Sequence, residues 1–224
     1  MKTIMCYGDS NTWGYMPKTD MPQITSANRF PWDVRWTGRL QAMLGAEYHV
    51  LEEGLNGRTT MFDCPMDDHR NGLKDIDVAL LTHAPVDLVI IMLGTNDTKM
   101  VFHMTDYVIA HGIERLIGKI RGGGYGPEGG DPEVLVVAPI RMGENVEKRW
   151  LGGEFGADSL ALDKKLASAF RIVAERMGAR FLDAGARITA DPADCVHMNE
   201  KGHETLAALL YDEVRRILDV RERE

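Results

Sequence analysis

A mainly parallel β-sheet covered by helices on both faces is the fold class this sequence predicts. Three observations predict it. Strand-like runs at 3–7, 49–53, 88–93, 134–138 and 180–182 alternate with helix-length amphipathic stretches. The run from Leu88 to Leu93 is apolar at every position, as a strand buried on both faces should be. The first three runs each end in a glycine (Gly8, Gly54, Gly94) followed by polar residues, the pattern of strand tips that turn sharply and expose chemistry.

The elements follow in order. Thr3-Ile4-Met5-Cys6-Tyr7 is a buried strand that Gly8 breaks. The stretch 32–44 reads as a helix with apolar Val34, Leu40, Met43 and Leu44, and further helices are predicted over 73–83, 106–120, 159–177 and 201–218. Gly124-x-Gly126-x-x-Gly129 matches a dinucleotide fingerprint in form only. It precedes a strand and carries Pro127, so it reads as a flexible connection. Stretches 15–31, 58–71 and 139–158 are irregular and too long for simple turns, and read either as walls of a substrate pocket or as insertions or oligomer contacts. No repeat or linker divides the chain, so residues 1–224 read as one domain.

Composition narrows the function classes. With 44% hydrophobic and 27% charged residues the chain is of ordinary soluble type, and a net charge of −8 argues against a nucleic-acid surface. No run is long enough to span a bilayer and no secretory signal is evident, so no membrane partner is expected. Cys6, Cys64 and Cys195 form neither a disulfide framework nor a metal-knuckle spacing, which points to a reducing cytoplasm. The tail Arg221-Glu222-Arg223-Glu224 reads as a solvated helix end.

The chemistry-bearing residues sit at strand tips and before the last helix. Gly8-Asp9-Ser10 offers a hydroxyl, and Asp194-Cys195-Val196-His197 offers a carboxylate and an imidazole three residues apart. A serine needs a base, and the base needs an orienting group. Taken singly, Ser10 reads as a helix cap or turn residue, and Asn96 as a turn residue. Asp9 and Asp97 read as organisers of their own loops, Cys195 as a small packed residue, and His203 as a packed or surface histidine in the last helix.

Taken together, these segments resemble the SGNH hydrolases, or GDSL-type esterases. All four of that family's motif blocks have a counterpart here, in order across nearly the whole chain. The runs Gly8-Asp9-Ser10-Asn11-Thr12-Trp13-Gly14, Glu52-Glu53-Gly54-Leu55-Asn56-Gly57-Arg58-Thr59-Thr60 and Ile91-Met92-Leu93-Gly94-Thr95-Asn96-Asp97-Thr98 are similar to the arylesterase and acyltransferase branch. The resemblance implies a flavodoxin-like three-layer α/β/α sandwich around a five-stranded sheet. It implies a serine esterase acting on short-chain aryl or alkyl acetates, with acyl transfer to alcohols as a further expectation. Ser10 would be the nucleophile, His197 the base and Asp194 its orienting acid. The Ser10 and Gly57 backbone N–H groups and the Asn96 amide would form the oxyanion hole. No cofactor and no metal are implied, and a homo-oligomer is. Asn11 stands where the branch often has leucine; it and Trp13 are expected to line the substrate pocket, as is Trp32. Three alternatives stay open: a metal-dependent phosphoesterase using Asp9, Asn96, His197 and His203, an acetylated-carbohydrate esterase of the same family, and a non-catalytic binder on the same scaffold.

Overall fold

The computed structural model of the chain describes residues 1–20 and 25–220. The tail 221–224 lies outside the described residues. Strands β1 (Lys2–Gly8), β2 (Tyr48–Gly54), β3 (Leu88–Met92), β4 (Glu133–Ala138) and β5 (Arg180–Asp183) form one sheet in the order β2-β1-β3-β4-β5. Every pairing is parallel. The helices are α1 (Ser10–Trp13), α2 (Trp36–Leu44), α3 (Gly72–His83), α4 (Asp106–Ile120), α5 (Ala157–Arg176) and α6 (Glu200–Val220).

Alternation along the strands explains the three layers. Ile4 and Cys6 of β1, with Leu88, Ile90 and Met92 of β3, face a core closed by Trp36 and Leu40 of α2 and by Leu206, Leu210 and Val214 of α6. Met5, Tyr7, Val89 and Ile91 face the opposite core, closed by α3, α4 and α5 through residues such as Ile76, Ile113 and Phe170. Side chains of period two thus fill both faces, and strands buried on both sides are apolar throughout. This is the α/β sandwich the sequence predicts, and strand ends differ from the predicted ones by one residue. Among the described residues no helix is long and apolar enough to cross a membrane.

Two elements differ from the sequence expectation. Helix α2 starts at Trp36 and not at 32, because Val34 and Arg35 both return their N–H to the Pro31 carbonyl in a turn. That turn lies on Gly38, where a Cβ would meet the Trp32 carbonyl oxygen at 1.9 Å. The short helix α1 was not anticipated. Asp9 caps it by accepting the Asn11 N–H at 2.9 Å.

The order of strands reverses beside β1: its successor in the chain lies on one side and β3 on the other. Connections leave such a switch point in opposite directions and open a crevice at the strand C-termini. Register places Gly8 beside Gly54 and Met92, so the three following loops start side by side. Gly8 is required there, since a Cβ would stand 2.1 Å from Thr12 Oγ1.

His203 locks α6 to α2. It is fully buried, and its Nδ1 accepts the N–H of Trp36, a first-turn donor without an intrahelical partner. Burial, with the charges of Arg39 and Arg35 nearby, pushes its pKa down to about 3. The neutral ring therefore contributes stability above the unfolded value of 6.5 that is lost as pH falls toward 3, because only the unfolded chain takes up the proton. Asp9 and Asp97, raised to about 6, act with the opposite sign over the acid range. Comparison with His203→Gln isolates the histidine. The stability difference measured by urea unfolding should move in the variant's favour by about 2 kcal/mol between pH 7 and pH 5; a difference independent of pH contradicts the assignment.

Candidate active site

Three side chains join across the C-terminal edge of the sheet. Asp194 is fully buried, and its Oδ1 accepts the backbone N–H groups of Val196 at 3.0 Å and His197 at 2.9 Å. Its Oδ2 lies 2.8 Å from His197 Nδ1, and His197 Nε2 lies 2.9 Å from Ser10 Oγ. Burial alone would raise the Asp194 pKa. The hydrogen bonds from the His197 ring and backbone overcome it and hold the carboxyl below its ordinary value. An ionised carboxylate only accepts, so Nδ1 carries the proton and Nε2 is left to accept from the Ser10 hydroxyl.

The loop that aims both Asp194 and His197 is fixed by strain and packing. Cys195 between them has φ +64°, and its carbonyl accepts the Gly143 N–H at 2.9 Å. Its side chain packs with Met142, Val146, Leu151, Phe155 and Val196 in a small third core. Asn11 holds the same loop from the other side. Its amide donates to the Val196 carbonyl at 3.2 Å, and its Oδ1 accepts the Met198 N–H at 2.9 Å.

Beside Ser10 opens a cavity of about 170 Å³. Ser10, Asn56, Gly57, Asn96 and His197 form its reactive floor. Ser10 is the first residue of α1, so its N–H has no partner within the helix. Gly57 sits at φ +78°, where a side chain would be strained and would crowd Arg70. Asn96 donates one amide hydrogen to the Arg58 carbonyl at 3.1 Å, which fixes the amide and leaves its second N–H. The walls come from all three irregular stretches: Tyr15 from the first, Asp67 and Arg70 from the second, and Trp150, Leu151, Glu154 and Phe155 from the third.

Three expectations need correction. Asn11 and Trp13 do not line this cavity, and neither does Trp32. Asn11 is buried and spent on the His197 loop. The Trp13 ring lies under the Arg29 guanidinium at 4.8 Å. Trp32, 42% exposed, lies against Arg35. Tyr15 takes the wall position, with its ring 4.4 Å from that of His197. Asp97 does more than order its own turn: its carboxylate accepts the Thr60 N–H at 2.9 Å and the Thr60 hydroxyl, tying the loop after β3 to the loop after β2. His203 faces Trp36 and Phe30, not the cavity. No group of three His, Cys, Asp or Glu residues among the described residues is placed to hold a metal ion.

With this geometry in view, the chain was compared with known proteins. It matches the GDSL-like Lipase/Acylhydrolase family over residues 6–205. The chain belongs to that family. Among solved structures of similar fold, an aryl esterase from M. smegmatis is 38% identical; the match covers 97% of this chain and all of that one, with a TM-score of 0.90. Est24, a carbohydrate acetylesterase from Sinorhizobium meliloti, is 39% identical over 97% of this chain and all of its own, with a TM-score of 0.88. No curated protein matches the chain.

Arg58 is the site residue that sequence reasoning missed. It is buried against the Tyr7 ring at 4.1 Å, and its guanidinium donates to the Gly8 carbonyl at 2.9 Å and to the Glu53 carbonyl. Its own carbonyl holds the Asn96 amide. One residue thus joins the loops after β1, β2 and β3. Only its place between Gly57 and Thr59 in the second motif run hinted at this; burial gives it meaning. Arg58→Lys keeps a charge but loses the planar guanidinium that lies against the Tyr7 ring and aims one nitrogen, Nη1, at both carbonyls. It should lower kcat for an aryl acetate by about 10- to 100-fold with KM little changed. A kcat within twofold of the parent contradicts the bracing role.

Proposed function

We propose that this chain is a carboxylic ester hydrolase that works through an acyl-serine at Ser10. The observation that carries the reading is the run of hydrogen bonds from Asp194 through His197 to Ser10, opening on a cavity. In that reading His197 Nε2 takes the hydroxyl proton as Ser10 Oγ attacks the ester carbonyl, and Asp194 stabilises the imidazolium that results. The Ser10 and Gly57 N–H groups and the Asn96 amide receive the developing oxyanion. Collapse of the tetrahedral intermediate releases the alcohol, which takes the proton from His197. Water, deprotonated by the same imidazole, then attacks the acyl-serine and releases the acid.

The small cavity favours a short acyl group, since pockets for drug-sized ligands run to about 300–1,000 Å³. Similarity to an aryl esterase and to a carbohydrate acetylesterase supports acetyl esters as substrates. Acyl transfer to an alcohol uses the same intermediate. The apolar surfaces of Trp150, Leu151, Phe155 and Val196 support an alcohol there in place of water. We read residues 1–224 as one domain that works as a homo-oligomer in the cytoplasm, without a cofactor.

Hydrolysis of p-nitrophenyl acetate by the parent and by Ser10→Ala, each with and without EDTA, tests the reading. Turnover should ignore the chelator and fall by about 10⁴-fold or more with the serine. Turnover that survives the substitution but is lost to EDTA would assign the site to a metal-dependent reaction.

A further inference from the structure

Arg70 stands out among the cavity walls. Its Nε is buried and has no hydrogen-bond partner, although a guanidinium N–H is costly to leave unmade. The nearest acid, Asp67, is 3.9 Å from its Nη2, beyond hydrogen-bond length, and is 53% exposed. The other cation of the cavity, Lys99, is already paired with Glu154. Arg70 also lies close to the reacting centre, because a Cβ on Gly57 would stand 3.1 Å from its Nε.

A second donor shares the cavity. Tyr15 is 3% exposed, its ring packs at a tilt against that of His197, and its hydroxyl is buried without a partner. Its pKa is raised, by burial first and by the Asp194 charge second, so the phenol keeps its proton and donates. The side-chain oxygen of Asn56 is unpartnered too, and rotation of the amide offers either its acceptor or its donor end. Two unpartnered donors, one of them cationic, therefore belong to residues that line the cavity that also holds Ser10.

We propose that Arg70 and Tyr15 form a subsite for a carboxylate carried by the ester substrate, so that the preferred substrates are short acyl esters of hydroxy acids. Resting on the esterase reading, this deepens it by naming the alcohol half. A guanidinium matches a carboxylate through parallel N–H donors, and the Nε–H is the unused one here. The Arg70 side chain is 25% exposed, but its Nε and the Tyr15 hydroxyl are out of water, which strengthens their attraction for a charge and keeps an unfilled subsite costly. Plain aryl and alkyl acetates leave these donors unpartnered and are turned over less efficiently.

Paired substrates that differ only in charge provide the test. They are 2-acetoxypropanoate against 2-acetoxypropanamide, and 4-acetoxybenzoate against 4-acetoxybenzamide, so that two reaches from the ester to the charge are sampled. In at least one pair kcat/KM for the carboxylate should exceed that for the amide by about tenfold or more, the size of one charge-assisted hydrogen bond. In Arg70→Gln, checked for an unchanged melting temperature, that ratio should fall to within about twofold of unity, and Tyr15→Phe should lower it in part. A ratio at or below unity in both pairs, as a site built for neutral hydroxylated alcohols would give, overturns the proposal. So does a carboxylate preference that survives Arg70→Gln. Failure of the esterase reading is distinct: all four esters would then be cleaved equally by parent and Ser10→Ala.

Discussion

The site depends on a buried guanidinium that holds three strand tips together. Parallel register alone brings Gly8, Gly54 and Met92 side by side, but the loops that follow them are separate pieces of chain. Arg58 joins them by donating to the Gly8 and Glu53 carbonyls while its own carbonyl receives Asn96. Asp97 adds a second tie by gripping Thr60. Arg58 and Asp97 are buried polar groups; backbone and hydroxyl partners offset the cost of desolvating Asp97 and part of that of Arg58, whose Nε has no partner. A site held this way is fixed before substrate arrives, as electrostatic stabilisation of an oxyanion requires.

The fourth segment, Asp194 to His197, is held by different means. Its carboxylate accepts two N–H groups of its own loop and that of Lys18 at 3.4 Å, its left-handed Cys195 sets the turn, and Asn11 reaches over from α1 to brace it. The residue beside the proposed nucleophile thus positions the proposed base. Motion of α1 would carry Ser10 and the His197 loop together, which keeps the 2.9 Å contact between them.

Much of this was legible in the sequence, for reasons that differ by element. The strands were readable because burial on both faces writes an unbroken apolar run, as at Leu88-Val89-Ile90-Ile91-Met92. The segments that hold Ser10, Gly57 and Asn96 could be grouped because a parallel sheet puts successive tips on one edge, while the resemblance to the family picked out these residues, with Asp194 and His197, within them. Side-chain direction was not legible. Ser10 and Asn11 are adjacent on one helical turn, where neighbours point about 100° apart, so nearness in sequence to Ser10 does not put Asn11 in the cavity, and the Trp13 ring lies against Arg29 instead. The three stretches that wall the cavity were legible as long irregular loops, but not which of their residues face it, because Tyr15, Arg70 and Trp150 lie in segments that carry no periodic signal. In the third stretch Trp150, Leu151 and Phe155 share the loop with apolar Ile140, Met142 and Val146, so composition did not single them out.

The covalent intermediate is the central claim, and trapping it is its most direct test. An aryl acetate is mixed with the protein, quenched in acid within the first turnovers, digested and mapped by mass spectrometry. The account predicts one acetyl group on the peptide that holds Ser10, located on the Ser10 side chain and absent from a sample quenched after substrate is exhausted. Rapid turnover with no acetyl at Ser10 at any quench time, or with the acetyl on another residue, would contradict it.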